Sequence, residues 1–199
     1  MDYQGYERLQ FAYDGRVLRV TIANGPMNTV DHALHDELAR VFAELQFDPD
    51  CDLIVLTGAG RAFCAGGDMV WFQHMIDEPG AFREIAPAGK KIVSDLLSLE
   101  KPIICRLNGA AAGLGATIAL LCDIIVADEN AKIGDPHVKA GLVAGDGGAV
   151  IWPQLIGFAR AKEMLMTGDM IGAKQAAGWG LVNYAVPSDA LDAKVAEIT

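Results

Sequence analysis

Short apolar strands alternate with helices along almost the whole chain, and this alternation limits the possible folds more than any other feature. Residues 16–24 alternate apolar and polar side chains and are rich in β-branched residues, which predicts a strand. Predicted strands occupy 16–24, 51–60, 102–109, 124–129 and 181–187, and predicted helices occupy 31–50, 80–101 after Pro87, 113–123, 159–168, 173–180 and a last one from 188. Such an order predicts an α/β fold with largely parallel strands.

Local residues mark where several of these helices begin or end. Asp31 precedes an apolar helical repeat, so we expect its carboxylate to cap the N-terminus of that helix. Gly168 and Gly180 follow two later helical stretches, where glycine suits the left-handed conformation of a C-cap.

Composition excludes some classes of function. The 199 residues are 52% hydrophobic and 21% charged, which is enough to bury one well-packed core, and we expect a single domain over residues 1–199. The formal net charge of −10 argues against a nucleic-acid partner, because such a partner requires a basic face. No apolar stretch approaches the roughly 20 residues that cross a bilayer, so no membrane partner is expected.

The cysteines and the N-terminus bear on the cellular compartment. Four cysteines lie in apolar runs without a C-x-x-C pair, as is typical of buried free thiols in a reducing environment. The first ten residues, MDYQGYERLQ, are polar and lack the apolar region of a signal peptide. These features predict a cytoplasmic protein.

Three glycine clusters each follow a predicted strand or lie in a turn after one: FCAGGD (63–68), NGAAAGLGA (108–116) and AGDGG (144–148). Glycine lets the backbone turn sharply and approach a ligand, and two backbone N–H groups that converge on one oxygen form an oxyanion hole. For any single cluster, a tight turn between a strand and a helix is the favoured explanation, but three clusters in one small domain favour a functional site. No G-K-[ST] follows, so a phosphate-binding P-loop is excluded.

His137 and Asp146 stand nine positions apart in an apolar, glycine-rich stretch, GDPHVKAGLVAGDGGAVIWP (134–153). One interpretation is a core histidine and a turn residue. The other is an acid/base pair, because an imidazole with a pKa of about 6.5 exchanges protons near neutral pH. The residues alone leave both interpretations open.

Three segments in order resemble the enoyl-CoA hydratase/isomerase (crotonase) superfamily: LIVLTGAGRAFCAGGDM (53–69), KPIICRLNGAAAGLGATIALLCDIIVADENAKIGDP (101–136) and GWGLVNYAVP (178–187). The likeness runs from about Val17 to Pro187. It implies an α/β fold in which a ββα superhelix forms two packed sheets surrounded by helices. It also implies that residues 1–199 are one core domain whose further C-terminal helices are truncated or not included, and that the protein assembles as a homotrimer or hexamer.

The resemblance implies chemistry on an acyl-CoA thioester, whose enolate is held by two backbone N–H groups. By position these are the N–H groups of Gly67 and Leu114. The residues that the resemblance places along the substrate and its coenzyme A part are Met27, Ala65, Gly66, Asp68, Met69, Gly113 and Thr117. Coenzyme A enters as part of the substrate, and no permanently bound cofactor or metal is expected.

The chain departs from the hydratase pattern at the two positions where hydratases carry glutamates. These positions are Thr117 and His137. A threonine hydroxyl is not a base near neutral pH, so we expect Thr117 to pack or to position a water. We expect His137 to act as general acid/base and Asp146 to orient its imidazole, as the carboxylate of a catalytic triad does.

The leading function is therefore enoyl-CoA hydratase or isomerase chemistry in fatty acid metabolism, and two alternatives remain. Pro136-His137, Gly145-Asp146-Gly147 and Trp152-Pro153 resemble the branch represented by 6-oxocamphor hydrolase, which implies retro-Claisen C–C hydrolysis of a β-diketone or a β-ketoacyl-CoA. The second alternative is a catalytically silent CoA-binding homologue that lost the glutamates.

The other histidines, two aspartates and several large apolar residues are expected to have structural roles or to line a pocket. His74 is expected in a surface or packing role, and His32 and His35 are expected to be solvated on their helix. Asp123 and Asp128 are expected to be structural. Residues that line an acyl pocket, if they are not plain core, are Trp71, Phe72, Met75 and Trp152. Asp135, His137 and Asp146 are too few to predict a metal site.

Overall fold

The structure, a computed structural model, describes residues 1–199 with the exception of the side chain of Pro79. Its strands are Leu9–Asp14 (β1), Val17–Ile22 (β2), Leu53–Gly58 (β3), Ala62–Cys64 (β4), Ile103–Leu107 (β5), Ala110–Ala112 (β6), Ile124–Asp128 (β7), Lys132–Gly134 (β8), Met170–Gly172 (β9) and Tyr184–Val186 (β10). Its α-helices are His32–Gln46 (α1), Met69–Asp77 (α2), Pro79–Leu97 (α3), Leu114–Leu120 (α4), Gly148–Thr167 (α5), Ala173–Trp179 (α6) and Leu191–Ile198 (α7). Two 3₁₀ helices cover Pro136–Ala140 and Ser188–Ala190.

The larger sheet has the strand order β1-β2-β3-β5-β7-β10. Strands β2, β3, β5, β7 and β10 run parallel, and β1 forms an antiparallel hairpin with β2. The hairpin turns at Gly15, whose φ of 58° lies in the left-handed region that glycine enters without strain. The parallel strands β3, β5 and β7 are mostly apolar because both faces of this sheet are covered, and their polar residues are Thr57, Arg106 and Asp128.

The smaller sheet has the order β4-β6-β8-β9 and is built from strands of three residues each. β4, β6 and β8 run parallel, and β9 is antiparallel to β8. Two sheets surrounded by helices confirm the predicted α/β class. None of these four short strands is visible in the hydrophobic pattern, because three residues cannot establish a period of two. The six-residue strand β1 was not predicted either.

Alternate residues of the central strands face two different apolar cores. Ile54 and Leu56 of β3 belong to the main core, whose largest enclosed side chains include Phe42 of α1 and Trp152 of α5. Val55 faces the other way and packs with Ile104, Val126, Leu191 and Val195, which places α7 on that face.

The predicted buried, free state of the cysteines is confirmed for all four.

Several helix boundaries agree with the predictions, and two do not. Asp31 caps α1 by accepting from Leu34 N at 2.9 Å, and Gly168 and Gly180 end α5 and α6 with φ of 67° and 78°. The helix α3 begins at Pro79 and runs through Pro87, so the prediction that it starts after Pro87 was wrong. Pro87 is exposed, and water can therefore satisfy the carbonyl that its missing N–H leaves free.

The helix α5 also begins earlier than predicted, at Gly148 rather than at 159. Gly157 interrupts it with φ 76° and ψ 161°, which divides it into two helical halves. The sequence shows apolar periodicity only for the second half. The helix α2 was not predicted as a helix, because its nine residues are too few for a clear period.

Two acidic residues predicted to be structural have structural partners. Asp123 accepts from Ile103 N at 2.8 Å, and Asp128 accepts from Asn130 N at 2.8 Å. Among the described helices, none has both the length and the apolar character required to cross a membrane.

Candidate active site

Three neighbouring parallel strands of the smaller sheet end at one edge, and the predicted site residues follow them. Gly67 comes shortly after β4, Leu114 shortly after β6, and His137 shortly after β8. β6 pairs with both β4 and β8. Because the carboxyl ends of parallel strands meet at the same edge of a sheet, residues far apart in sequence are brought together there.

A cavity of about 330 Å³ opens at this edge. Its polar side includes Gly67, Leu114, His137 and Asp146. Its apolar wall comes from α2 and α3, and it is formed mainly by Trp71, Phe72, Met75, Phe82 and Ile85. Trp71, Phe72 and Met75 line the cavity as predicted, whereas Trp152 is fully buried in the core and does not. A mostly apolar pocket with a few polar groups on one side is typical of a small-molecule site.

The first two glycine clusters pack directly against each other. Gly66 has φ 88°, and a Cβ at this position would lie 3.0 Å from the carbonyl oxygen of Ala112. Gly115 is closer still, because a Cβ there would lie 2.3 Å from the carbonyl oxygen of Cys64. Glycine is required at both positions for the two loops to approach, and this approach brings Gly67 near Leu114.

The N–H groups of Gly67 and Leu114 have no hydrogen-bond acceptor among the described residues. Gly67 forms a bridge to Val30, but the bonds use Gly66 O and Asp68 N, which leaves Gly67 N free. Leu114 is the first residue of α4, where a backbone N–H has no partner within the helix. Both residues line the cavity, so two free donors border the same space.

Asp135 fixes the ring of His137 from the buried side. The Asp135 side chain is fully buried after β8, and its Oδ1 accepts from both the backbone N and Nδ1 of His137. His137 lies in the first turn of the 3₁₀ helix that Asp135 caps. Gly113 packs against the ring, since a Cβ there would lie 3.1 Å from His137 Cε1.

Asp146 contacts the opposite nitrogen of the same ring, on the cavity side. Its Oδ2 lies 3.2 Å from His137 Nε2, and its Oδ1 accepts from Thr117 Oγ1 at 3.3 Å. Gly147, with φ 107°, passes so close to Thr117 that a Cβ would lie 2.8 Å from its Cγ2. The predicted proximity of His137 and Asp146 is therefore found, and Thr117 positions the carboxylate rather than packing passively.

Two carboxylates decide the charge of His137. Burial alone would lower the pKa of the imidazole, but the hydrogen bonds to Asp135 and Asp146 and the charges of both outweigh it and raise the pKa to about 10. His137 is thus an imidazolium at neutral pH, with Nδ1 hydrogen-bonded to Asp135 and Nε2 3.2 Å from Asp146 Oδ2. The resting site holds a proton donor and a carboxylate acceptor side by side.

This pKa shift makes a prediction for stability. The folded-state pKa of about 10 exceeds the unfolded value of about 6.5, so the stabilisation is fully present below pH 6.5 and is lost as the pH rises through 10. Between pH 7 and 10, the free energy of unfolding should fall by on the order of 3 kcal/mol more in the native chain than in His137→Gln. Urea unfolding of both proteins measures this, and parallel pH dependences would contradict it.

The sequence did not single out Asp135 as the partner of Nδ1. The orienting role was predicted for Asp146, but in the structure Asp135 holds Nδ1 and Asp146 faces Nε2. The available signal was the spacing Asp135-Pro136-His137 directly after a strand, since an Asx residue there commonly caps the next turn. Among the described residues, Asp135, His137 and Asp146 also have ligand atoms within 4.8 Å of one another, but a metal would have to displace both ion pairs.

His35 was expected to be solvated, and this prediction was wrong. His35 is only 5% exposed and lines the cavity from α1. The centroid of its ring lies 5.4 Å from that of Trp71. The helical pattern did not reveal this, because Trp71 of α2 and Gly89 of α3, which lie against His35, come from distant parts of the chain. His74 is exposed, in agreement with the expected surface role.

The two stretches expected along coenzyme A lie next to each other. Ala65 N donates to Met27 O at 3.0 Å, and Val30 N donates to Gly66 O at 2.8 Å. Asp68 holds the loop by capping α2, where it accepts from Val70 N at 3.0 Å and Trp71 N at 2.9 Å. Met69 follows on the surface and is 68% exposed.

Asn28 is the buried tie beneath these two stretches. It is fully buried with φ 50°, and its Nδ2 donates to the carbonyl oxygens of Ala59, Ala62 and Phe63. Its Oδ1 accepts from Asn24 N at 2.9 Å. Asn28 therefore holds the 24–28 turn against β4, and its side chain is not available to a ligand.

Known proteins resemble the chain over nearly its full length. Residues 13–199 match the family model described as enoyl-CoA hydratase/isomerase. A carnitinyl-CoA dehydratase of Citrobacter koseri is 34% identical over 185 residues, which are 93% of this chain and 70% of that protein. A carnitinyl-CoA dehydratase of Escherichia coli strain K12 is 33% identical over 180 residues, which are 90% of this chain and 68% of that protein.

Solved structures agree with the sequence matches. An enoyl-CoA hydratase/isomerase from Mycobacterium paratuberculosis superposes with a TM-score of 0.89 at 36% identity, covering 96% of this chain and 78% of that one. An enoyl-CoA hydratase from Bacillus anthracis superposes with a TM-score of 0.90 at 31% identity, covering 96% and 75%. The family match, the fold and the paired glycine loops lead to one conclusion: the chain belongs to the enoyl-CoA hydratase/isomerase family, the crotonase superfamily of enzymes.

Proposed function

We propose that this protein adds water to, or removes it from, an acyl-CoA thioester, and that it holds the thioester enolate at the N–H groups of Gly67 and Leu114. The observation that carries the proposal is the cavity itself. It combines two backbone donors without acceptors, an imidazolium and a carboxylate, all on residues that line the same space. Donors fixed by the backbone stabilise a developing oxyanion without reorganising during the reaction.

The proton chemistry falls to His137 and Asp146. In hydration, the oxygen of a water molecule bonds to the β-carbon while Asp146 takes a proton from that water. The His137 imidazolium then gives a proton to the α-carbon of the enolate. Transfer of the proton from Asp146 to His137 then restores the starting state, and dehydration follows the same steps in reverse. The 3.2 Å separation between Nε2 and Oδ2 supports this transfer. Asp135 is a positioning residue, because it contacts His137 from outside the cavity.

His137 and Asp146 take the roles that two glutamates have in hydratases, and they do so as an acid and a base of different chemical type. A hydratase with two carboxylic groups must keep one protonated and one ionised. Here the difference is built in, because the two carboxylates around His137 keep its imidazole protonated at neutral pH. The names of the relatives, carnitinyl-CoA dehydratase and enoyl-CoA hydratase, support a hydro-lyase reaction on a CoA thioester.

We place the coenzyme A part along Met27 and the segment from Ala65 to Met69. These stretches are paired by backbone hydrogen bonds next to the free N–H of Gly67, which supports a continuous path from the cavity to the surface. Arg61, which is exposed, reaches Met27 with its guanidinium Nη2 3.6 Å from Sδ. It supplies a cation for an anionic substrate on a chain whose net charge is −10.

A substrate screen with product identification by mass tests this function. Crotonyl-CoA should gain the mass of one water and become 3-hydroxybutyryl-CoA, and Asp146→Asn should lower kcat by at least about 100-fold while the fold stays intact. The Asn variant is nearly isosteric but lacks the base, so it also shows that the activity belongs to this protein. No turnover of any 2-enoyl-CoA or 3-hydroxyacyl-CoA would overturn the proposal.

A second candidate, retro-Claisen hydrolysis, rests on the contact between His137 Nε2 and Asp146. That pair within Pro-His and Gly-Asp-Gly is the feature the chain shares with the branch represented by 6-oxocamphor hydrolase. The same screen includes a cyclic 1,3-diketone and a β-ketoacyl-CoA. A free acid from the diketone, without any hydrated enoyl-CoA, would favour this candidate over the first.

A further inference from the structure

His35 is a second imidazole in the same cavity, and the reaction proposed above does not use it. It lies on α1 with 5% of its surface exposed, and its ring packs against Trp71. The neighbouring walls are apolar side chains of α2 and α3, among them Phe72, Met75 and Ile85. The imidazole of His35 therefore places a polar group in an otherwise mainly apolar part of the cavity wall.

The two ring nitrogens of His35 have different surroundings. Nδ1 is shielded from solvent and has no hydrogen-bond partner among the described residues. Nε2 does not belong to this set of shielded atoms without a partner. Gly89 of α3 faces Nε2, and a Cβ on Gly89 would lie 3.6 Å from it. Because Gly89 has no side chain, the space beside Nε2 stays open to the cavity that both residues line.

The enclosed Nδ1 indicates which nitrogen carries the proton. Burial lowers the pKa of His35, so the ring is neutral and carries one proton at neutral pH. An enclosed donor without a partner is rarer in proteins than an enclosed acceptor without one. The proton therefore resides on Nε2, and His35 presents an N–H donor to the cavity.

We propose that His35 is a specificity-determining residue whose Nε2–H donates a hydrogen bond to an oxygen on the acyl chain of the substrate. The proposal rests on the function proposed above. It names the substrate class as acyl-CoA thioesters with an oxo or hydroxyl group on the acyl chain, rather than plain alkyl chains. A site built to hydrogen-bond a substrate group discriminates against analogues that lack it, because its own polar atom is then left unpaired.

The test compares the affinities of hexanoyl-CoA, 4-oxohexanoyl-CoA and 5-oxohexanoyl-CoA, measured by isothermal titration calorimetry. The native protein should bind one of the oxo compounds about 5- to 10-fold more tightly than hexanoyl-CoA, as expected for one neutral hydrogen bond. His35→Leu should abolish this preference without weakening hexanoyl-CoA. His35→Gln should keep it, because the glutamine amide nitrogen reaches nearly the position of Nε2.

A second pair of variants leaves His35 in place. Gly89→Ala puts a methyl group 3.6 Å from Nε2 and should reduce the oxo preference to about 2-fold or less, whereas Gly80→Ala, with no heavy atom within 4 Å of the added carbon, should not change it. Equal binding of all three compounds by the native protein, or an equal loss for all three in His35→Leu, would overturn the role of His35. Failure of the native protein to bind any acyl-CoA would instead overturn the proposed function.

Discussion

Replacing His137 by glutamine should lower kcat about 10²- to 10⁴-fold, because a positioned acid/base group contributes a factor of this size. The glutamine amide nitrogen reaches nearly the position of Nε2 and can still donate to Asp146, so this contact is kept while the transferable proton is lost. The affinity for butyryl-CoA should stay within a few-fold, since the coenzyme A part is expected to lie along Met27 and Ala65 instead. Steady-state kinetics with crotonyl-CoA and calorimetry with butyryl-CoA measure the two quantities.

His74→Gln is the matched control for this variant. It makes the same substitution on α2 at an exposed histidine, and it should leave kcat unchanged. A kcat for His137→Gln within 10-fold of the native value would show that the imidazole is not the proton carrier. A large loss of butyryl-CoA affinity would show that His137 acts in binding.

Replacing Leu114 by proline should lower kcat about 10²- to 10³-fold, as removal of one oxyanion-hole donor does. Leu114 is the first residue of α4, where proline fits the helical backbone and removes only an N–H that the helix does not use. Gly113 before it has φ 53° and ψ −123°, an extended left-handed conformation that glycine adopts without strain. Proline also removes the buried isobutyl group of Leu114, so the melting temperature should fall about as much as in Leu114→Ala.

Leu114→Ala separates the lost donor from the lost side chain. It keeps the backbone N–H and removes only the isobutyl group, which is largely buried in the core. We expect kcat within 10-fold of the native value and a lower melting temperature. If the alanine and proline variants lose kcat to the same extent, the N–H of Leu114 is not an oxyanion donor.

The fold class could be predicted from the sequence, but the smaller sheet could not. Strands such as 51–60 stand out because both faces of the larger sheet are covered, and the central run of residues 53–56 is continuously apolar. β4, β6, β8 and β9 have three residues each, and their pairing depends on contacts between distant segments. The resemblance to a family implied two sheets where the hydrophobic pattern showed only one.

The sequence predicted those site residues whose type is unusual in their surroundings, namely clustered glycines and isolated ionisable residues. The glycine clusters at Gly66 and Gly115 indicated close backbone approach, and the structure shows that approach. His137 and Asp146 stood out as isolated ionisable residues. Asp135 was less visible because an aspartate before proline at a strand end is also an ordinary turn residue. His35 could not be found, because its burial depends on residues of α2 and α3 that lie far from it in the sequence.

Deuterium exchange at the α-carbon of butyryl-CoA, followed by proton NMR in D₂O at pH 7, tests the central claim most directly. This compound cannot be hydrated, so exchange reports only on enolate formation at the two N–H groups and on the proton carrier. The native protein should exchange an α-proton faster than the enzyme-free solution, and His137→Gln should slow that exchange at least about 100-fold. No exchange above the enzyme-free rate, or equal exchange in the two proteins, would contradict the account.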